Sequence, residues 1–198
     1  MAPWYILMSP AALSQRFEEA LNFCVRLHSQ QRRKGTQVPY IAHLLAVAAF
    51  VLEDGGDEDL VIAALLHDAV EDQGGLDTLQ MIRIKFGDRV ADIVDGCTDS
   101  YTVPKPPWWE RKERYLDHLR AANSDVLRVS LADKLHNSRS ILRDLRQSGD
   151  ETWSRFNGGK EGTMWYYREL AAIFIESDLS SQMVEEFIQT VLEIEDLV

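Results

Sequence analysis

Within the run HDAVED, His67 and Asp68 are followed one helical turn later by Glu71 and Asp72. At helical spacing, His67 and Glu71 lie on one face, as do Asp68 and Asp72. Imidazole and carboxylate groups bind divalent metals, and carboxylates nearby can move protons to and from water. The run therefore predicts metal-assisted hydrolysis, with His67 and Asp68 as metal ligands and Glu71 and Asp72 as the catalytic acid–base pair.

The surroundings of the HDAVED run favour a bound cation. The apolar stretch 60–66 precedes His67, so Asp68 emerges from a buried helix, where an unneutralised carboxylate is costly. A helix that simply ends in water would account for Glu71 and Asp72 as surface residues. However, three carboxylates near a helix C-terminus are electrostatically unfavourable without a cation.

Two more compatible ligands come from distant parts of the chain. His43 interrupts an apolar helical segment, and Asp133 lies in the polar insertion LADKLHN, residues 131–137. With His67 and Asp68 they make a set of two imidazoles and two carboxylates. Such a set suits Mn²⁺, Fe²⁺ or Zn²⁺ better than Mg²⁺, and it leaves positions for water and a phosphoryl oxygen.

The elements that must position these groups are helices. Apolar residues recur near a spacing of 3.6, and the alternation typical of strands is hard to find. A length of 198 residues with 45% hydrophobic residues suits one domain with a buried core. We therefore expect an all-α fold, a single compact multi-helix domain over residues 1–198. The predicted helices span residues 10–31, 40–52, 59–72, 77–86, 88–95, 109–122, 125–147, 162–175 and 180–197.

The predicted third helix carries the HDAVED run at its C-terminal end. Asp57 is the expected N-cap, and the glycine pair 74–75 ends the helix directly after the run. Asp77 is expected to cap the next helix, and Gly87 to end it. The prolines within residues 97–109 exclude a continuous helix there and predict an ordered surface loop.

Composition argues against several classes of function. The net charge of −11 disfavours binding to a nucleic-acid polymer, which requires a basic surface. The N-terminal residues lack the basic flank of a signal peptide, and the apolar run 44–52 is too short to span a membrane. Cys24 and Cys97 lack a paired spacing and are expected to be free thiols, so we expect a cytoplasmic protein. An oligomer is compatible with this composition, but no feature points to one.

The order and spacing of these residues resemble those of HD-superfamily metal-dependent phosphohydrolases, whose H…HD…D pattern is matched by His43, His67, Asp68 and Asp133. More closely, the chain resembles the hydrolase domain of the RelA/SpoT group, and within it the stand-alone small alarmone hydrolases. The matching segments are RRK at 32–34, PYIAH at 39–43, ALLHD with ED at 64–72, and LADKLHN at 131–137. The resemblance implies hydrolysis of the 3′-diphosphate of guanosine tetra- or pentaphosphate, giving GDP or GTP and pyrophosphate, with one divalent metal ion, usually Mn²⁺.

The same resemblance implies a set of substrate contacts. Arg33 and Lys34, in a glycine-containing loop, would stack on the base or neutralise phosphates. Asn137 and Ser140 follow the predicted metal ligand of their helix by one and two turns, so they would face the same cavity. His136 is expected to point elsewhere. The other candidates for a phosphate and base pocket are Lys105, Lys112, Lys160 and Tyr166.

Two alternatives to this function follow from the same residues. An enzyme of the same class could act on another nucleotide, such as a dinucleotide 2′-phosphate or a 5′-nucleotide. A catalytically silent nucleotide sensor would use the same pocket for binding alone. The pair Glu71 and Asp72 argues against a sensor, because a sensor needs no groups for proton transfer.

Overall fold

The computed structural model of the chain describes residues 13–102, 104–179 and 182–198. Within these ranges the regular structure is helical, apart from an isolated antiparallel bridge between Arg32 and Pro39. The all-α prediction is therefore confirmed. The helices are α1 Gln15–Leu27, α2 Ile41–Glu53, α3 Glu58–Leu66, α4 Ala69–Asp72, α5 Gly75–Phe86, α6 Asp88–Cys97, α7 Trp108–Arg120, α8 Ser124–Ser148, a 3-10 helix Gly149–Arg155, α9 Gly159–Glu176 and α10 Gln182–Asp196.

Helix α3 forms the centre of the core because nearly all of its side chains are apolar. Every residue from Leu60 to Leu66 is buried, and α3 packs against α1, α2, α6 and α8. Helix α8 also packs against α2, and its other neighbours include α6 and α10. Since α2, α3 and α8 contact one another in the core, polar side chains at their shared edge are brought together out of bulk water.

The HDAVED run spans a break between two helices, which corrects the prediction of one continuous helix over residues 59–72. Helix α3 ends at Leu66, and α4 begins at Ala69. His67 Nδ1 donates to the Ala64 carbonyl at 2.7 Å, and the Cys24 thiol donates to the Leu65 carbonyl at 3.1 Å. In a continuous helix these carbonyls would accept from the amides of residues 68 and 69. The side chains thus help to end α3 immediately before the ligand pair.

Two N-caps were predicted near this break, Asp57 for α3 and Asp77 for α5, and the structure confirms only the first. The Asp57 side chain accepts from the Leu60 amide at 3.0 Å, as expected for an N-cap. The expected cap Asp77 is wrong, because it lies inside the first turn of α5, which begins at Gly75. Gly74 and Gly75 both have positive φ, a conformation that favours glycine, and this lets α5 follow α4 almost directly.

Other helix boundaries also move relative to the prediction. Helix α1 ends at Leu27 rather than at residue 31, and the His28 ring bonds Gln31 within the turn that follows. Helix α9 begins at Gly159 rather than at residue 162. The 3-10 helix before it has no counterpart in the expected elements. The predicted starts of the first and last helices, at residues 10 and 180, lie outside the described residues.

The described residues between α6 and α7, 98–102 and 104–107, form no helix, as the prolines of this segment predict. Arg111 of α7 holds the end of this segment, because its Nε donates to the Pro106 carbonyl at 3.2 Å. Among the described helices, none has both the length and the apolar character required to cross a membrane.

Candidate active site

The four predicted metal ligands converge where α2, α8 and the turn after α3 meet. His43 Nε2 lies 3.1 Å from Asp133 Oδ1 and 3.5 Å from Asp68 Oδ2. His67 Nε2 lies 3.0 Å from Asp68 Oδ2 and 3.6 Å from Asp133 Oδ1. Each imidazole therefore faces both carboxylates, although His43 and Asp133 are far apart in the sequence.

The hydrogen bonds of the two imidazoles direct their other ring nitrogens into this cluster. His67 Nδ1 donates to a carbonyl oxygen, so Nε2 is the ring nitrogen that can offer a lone pair to a metal ion in place of a proton. Within the described part of the chain, His43 Nε2 and His67 Nε2 are buried without a hydrogen-bond partner. Ligand atoms of these two residues and Asp133 lie within 4.8 Å of one another. Nitrogen lone pairs opposite carboxylate oxygens repel unless a positive charge lies between them, so the residues fit a divalent metal ion.

His136 supports the ligand His43 from outside the cluster, which corrects the expectation that it points elsewhere. Its Nδ1 lies 2.8 Å from His43 Nδ1. Burial, with the charges of His43 and Arg33, lowers the pKa of His136 to about 4, so its ring is neutral and can accept this hydrogen bond. A His43 ring that binds a metal ion through Nε2 carries its proton on Nδ1, and the hydrogen bond to His136 would then hold this ring in place.

The electrostatics of the ligand cluster favour a positive charge at its centre. Burial alone would lower the pKa of His67, but the Asp68 and Asp133 carboxylates outweigh it and raise this pKa well above its usual range. Burial would raise the pKa of Asp133, but Lys134 and the two histidines hold it well below its usual range. Burial would also raise the pKa of Asp68, but His67 and His43 hold it well below its usual range. Both carboxylates are therefore ionised and can neutralise a divalent cation.

Glu71 and Asp72 lie beside the ligand cluster on the short helix α4. The Asp72 amide donates to the Asp68 carbonyl at 3.0 Å, which retains the one-turn spacing despite the helix break. Lys105 Nζ lies 2.5 Å from Glu71 Oε1 and 3.3 Å from Asp72 Oδ1. Gln31 donates to the other Asp72 oxygen at 2.8 Å. The acidic pair is thus held by neighbours on two sides.

Burial, reinforced by the charges of Asp99 and Asp68, raises the pKa of Glu71 to about 7. Lys105 opposes this rise. A carboxyl group that titrates near neutrality is suited to accept a proton from water and to return one later in the reaction. The position and pKa of Glu71 therefore fit the role of acid–base residue that its sequence context predicts.

A cavity of about 470 Å³ opens directly beside His43, one of the predicted metal ligands. Its wall is rich in cations although the protein is acidic. Among the described lining residues, Asp144 alone carries a carboxylate. The lining cations are Arg33, Lys34, Lys112, Lys134, Arg143 and Arg155. Aromatic rings complete the wall, from Tyr40, Trp108, Phe156, Tyr166 and Tyr167. The combination can hold a ligand that carries several negative charges and a planar ring.

Most of the predicted substrate contacts line this cavity. They are Arg33, Lys34, Lys112, Asn137, Ser140 and Tyr166. Arg33 donates to Asn137 at 2.7 Å, and Asn137 donates to Asp133 at 2.6 Å, which connects the cavity to the ligand cluster. Lys105 contacts the acidic pair instead. Lys160 is not among the lining residues and bonds the Val198 carbonyl at 2.7 Å.

Comparison with known proteins identifies the family to which this domain belongs. A family model described as the HD domain matches residues 20–164, which contain all four metal-ligand candidates and the acidic pair. The chain belongs to the HD domain family.

Relatives of this HD domain carry names that refer to one nucleotide substrate. The guanosine-3′,5′-bis(diphosphate) 3′-pyrophosphohydrolase MESH1 of Xenopus tropicalis is 42% identical over 139 residues, which cover 69% of this chain and 73% of that protein. The human protein of the same name is 40% identical over 139 residues, with the same coverage. The mouse protein is 35% identical over 179 residues, covering 88% of this chain and 92% of that protein.

Solved structures agree with these sequence matches. A structure titled "A metazoan ortholog of SpoT hydrolyzes ppGpp and plays a role in starvation responses" aligns with a TM-score of 0.72 at 26% identity, over 93% of this chain and 98% of that one. A protein from Listeria monocytogenes EGD-e aligns with a TM-score of 0.66 at 33% identity, over 78% of this chain and 99% of that one.

Several residues at the site of this HD domain were not predicted from the sequence. The Tyr40 hydroxyl donates to Asp68 Oδ2 at 2.6 Å, and Lys134 Nζ lies 2.5 Å from Asp133 Oδ2, so each orients one carboxylate ligand. His136 could have been found, because it follows Asp133 by three residues and shares its side of the helix. Tyr40 immediately precedes α2 and had no such signal, because its partner Asp68 lies between α3 and α4, far from Tyr40 in the sequence.

Proposed function

We propose that this HD domain hydrolyses guanosine tetra- or pentaphosphate at the 3′ position, releasing pyrophosphate and leaving GDP or GTP. The observation that carries the proposal is a pair of buried nitrogens, His43 Nε2 and His67 Nε2, which have no hydrogen-bond partner among the described residues. They face two carboxylates beside a cavity lined by cations. A metal centre next to such a cavity suits a polyphosphate substrate. The names of the relatives support guanosine 3′,5′-bis(diphosphate) as that substrate.

The proposed cofactor is one divalent metal ion held by His43, His67, Asp68 and Asp133. Two imidazoles with two carboxylates favour Mn²⁺, which we propose as the ion, over Mg²⁺. When bound, it supplies Lewis-acid stabilisation of the negative charge that develops on the phosphoryl oxygens. Tyr40 and Lys134 keep the carboxylates in place through their hydrogen bonds to Asp68 and Asp133.

Glu71 and Asp72 are the proposed proton-handling residues. Glu71 accepts a proton from the attacking water, whose oxygen forms a bond to the phosphorus attached to the 3′ oxygen. The bond between that phosphorus and the 3′ oxygen breaks, the 3′ oxygen takes up a proton, and pyrophosphate leaves. Asp72, fixed by Gln31 and Lys105, orients the water and Glu71.

The cavity wall supplies the proposed substrate contacts. Arg33 lies 5.7 Å from the centroid of the Tyr40 ring and donates to Asn137, so its guanidinium plane is positioned for stacking on a base. Lys34 and Lys112 are placed to neutralise phosphates. The Ser140 hydroxyl donates to the His136 carbonyl of its own helix and can still accept from a ribose hydroxyl.

Product analysis with purified protein tests this function. Guanosine tetraphosphate with Mn²⁺ is expected to give GDP and pyrophosphate in equal amounts, and no pyrophosphate from this substrate would refute the proposal. A parallel series with a dinucleotide 2′-phosphate and 5′-nucleotides tests the alternative substrates. Ca²⁺, Mg²⁺ and Zn²⁺ in place of Mn²⁺ test the proposed metal.

The variant Glu71→Gln separates an enzyme from a nucleotide sensor. Glutamine keeps the shape of the side chain but cannot accept a proton from water, so turnover is expected to fall by a factor of about 10²–10⁴ while metal binding is retained. Glu113→Gln, on α7 outside this site, is the matched control and should keep full activity. Wild-type protein that binds the nucleotide without turnover under every metal would favour the sensor.

We also propose that the chain forms one domain in a reducing, cytoplasmic environment. Burial raises the pKa of the Cys24 and Cys97 thiols to about 12, which keeps both protonated and unreactive at neutral pH. Both cysteines are free in the structure. Activity is therefore expected to be insensitive to reducing agents, which an assay with and without dithiothreitol checks.

A further inference from the structure

A buried carboxylate lies behind the cavity wall, outside the predicted metal and acid–base groups. Asp99 follows α6, and its side chain is 3% exposed. Arg111 Nη1 lies 2.6 Å from each of its oxygens, and Lys112 Nζ lies 2.7 Å from Oδ2. Burial alone would raise the pKa of Asp99, but Lys112 and Arg111 outweigh it and lower the pKa to about 2. Asp99 is therefore a permanent negative charge.

The two cations around Asp99 have different surroundings. Arg111 is enclosed, with its side chain 8% exposed, and its Nε donates to the Pro106 carbonyl. Lys112 is more open, with its side chain 18% exposed, and it lines the cavity. One carboxylate between two cations leaves an excess of one positive charge. Since Arg111 is enclosed, Lys112 presents this excess charge to the cavity.

The geometry of Lys112 leaves donors for a ligand. Its Nζ lies 4.9 Å from the centroid of the Tyr166 ring, which lines the same cavity. An ammonium group has three N–H donors, and Asp99 accepts one of them. The flexible lysine side chain is thus held in one direction by a salt bridge and a ring, with hydrogen-bonding capacity left for phosphate oxygens.

We propose that Asp99 is a positioning residue for substrate binding, which holds the Lys112 ammonium at the cavity wall where it contacts a phosphate group. The inference rests on the proposed function for the identity of the substrate. It adds a residue that touches neither the substrate nor the metal ligands and acts on substrate binding through Lys112. The Asp99 charge also raises the pKa of Glu71, so KM and kcat are compared at a pH well above that pKa, where Asp99→Asn is expected to change KM more than kcat.

A double-mutant cycle tests whether Asp99 acts through Lys112. The proteins are wild type, Asp99→Asn, Lys112→Met and the double variant, each assayed for KM and kcat with guanosine tetraphosphate and Mn²⁺. Each single variant is expected to raise KM about tenfold, because a charge-assisted hydrogen bond to phosphate is weakened or lost. Asp99→Asn should have no further effect on KM once Lys112 is methionine. Additive effects on KM, or an unchanged KM in Asp99→Asn, would overturn the inference.

Controls separate this role from a general loss of stability or charge. Asp95→Asn removes the same charge from a nearby carboxylate that bonds Tyr101 instead, and it should leave KM unchanged. If Asp99→Asn does not fold, the double variant Asp99→Asn/Arg111→Gln takes its place in the cycle, because it removes one buried negative charge together with one buried positive charge. A merely structural role for Asp99 would lower the melting temperature without the selective rise in KM.

Binding of inorganic pyrophosphate, measured by calorimetry in the presence of Mn²⁺, tests the role of Asp99 without requiring turnover. Asp99→Asn is expected to weaken this binding about tenfold, with no further loss in the Lys112→Met background. If wild-type protein does not hydrolyse guanosine tetraphosphate, the proposed function fails, and the pyrophosphate cycle still decides the role of Asp99. Equal affinity of wild type and Asp99→Asn for pyrophosphate would refute it.

Discussion

At the scale of single residues, the proton affinity of Glu71 is set by opposing neighbours. Burial and the Asp99 and Asp68 carboxylates raise its pKa, and Lys105 lowers it, with a net value of about 7. A base must be ionised to accept a proton, so activity should fall as the pH drops through this pKa. With a cation bound in the ligand cluster, this acidic limb is expected at or below pH 7 because positive charge favours the carboxylate.

Replacement of Lys105 should move the acidic limb of the activity profile. Lys105→Met removes a positive charge that lowers the pKa of Glu71, so the limb is expected to shift to higher pH by about one unit. The pH dependence of kcat/KM for wild type and variant measures the shift. Lys85→Met, on α5 and packed near Phe23, is the control and should leave the profile in place. A shift to lower pH would contradict the assigned relation between Lys105 and Glu71.

Replacement of His136 should weaken metal binding. His136→Leu removes the acceptor for His43 Nδ1, so the orientation and tautomer of this ligand are no longer fixed. Metal affinity is expected to fall by about 10–100-fold, the usual effect of losing such a partner. Calorimetric titration with Mn²⁺ measures the affinity. His118→Leu is the matched control, since His118 bonds the Gly96 carbonyl away from the site, and equal affinities of both variants would contradict this role.

At the scale of elements, the loop between α1 and α2 presents Arg33 and Lys34 to the cavity. The bridge between Arg32 and Pro39 closes this loop at its base. Gly35 lies in it at φ +74°, and a Cβ there would overlap Arg155 of the 3-10 helix. The loop and the 3-10 helix therefore pack closely only because residue 35 has no side chain.

Gly35→Ala should disturb substrate binding more than folding. The positive φ costs about 1–2 kcal/mol for an alanine, and the added methyl group pushes the loop away from Arg155. With Arg33 and Lys34 displaced, KM for guanosine tetraphosphate is expected to rise about tenfold. Gly55→Ala is the control, because Gly55 has φ +77° but no neighbouring atom in the way. The control should lose similar stability in urea unfolding and keep its KM; a raised KM in both variants would refute the local explanation.

At the scale of the whole molecule, charge is distributed unevenly between surface and cavity. The net charge of −11 would repel a polyphosphate, yet six cations line the cavity: Arg33, Lys34, Lys112, Lys134, Arg143 and Arg155. Four of these cations form salt bridges with three carboxylates, those of Asp99, Asp133 and Asp144, so positive charge remains in excess at the wall. This excess favours anions at one place on an acidic protein. The four predicted ligands at one side of the cavity also connect α2, α8 and the turn after α3, so a metal ion bound there would cross-link the centre of the fold.

Metal binding should therefore stabilise the folded protein as a whole. A ligand at 100 times its Kd raises the free energy of unfolding by about 2.7 kcal/mol when it binds only the folded state. For a protein of this size, this corresponds to a rise in melting temperature of about 5–10 °C. Thermal unfolding with Mn²⁺ and with excess EDTA measures the difference. His67→Ala should abolish the response, and an equal melting temperature with and without Mn²⁺ in wild type would contradict the metal site.

Much of the fold and of the site could be predicted because the signals are local. The spacing of apolar residues predicts helices, and the continuous apolar run from Leu60 to Leu66 predicts a buried one, which the structure confirms. The types and order of His43, His67, Asp68 and Asp133 predict a metal-dependent phosphohydrolase, and the family match agrees with it. Helical periodicity and the HDAVED run are properties of neighbouring residues, whereas His43 and Asp133 were added to the site by their ligand chemistry and by the resemblance to the HD superfamily.

Other features were decided by tertiary packing alone. The helix break after Leu66 involves Cys24 of α1, whose thiol donates to the Leu65 carbonyl of α3. The support of His43 by His136, and the salt bridge of Asp99 with Lys112, join residues of different elements. The pKa of Glu71 depends on burial and on charges brought close only in the folded chain. The spacing of residues in the sequence indicates which side of a helix a side chain occupies. Tertiary packing determines which sides of different helices meet, and therefore which charged groups are buried together.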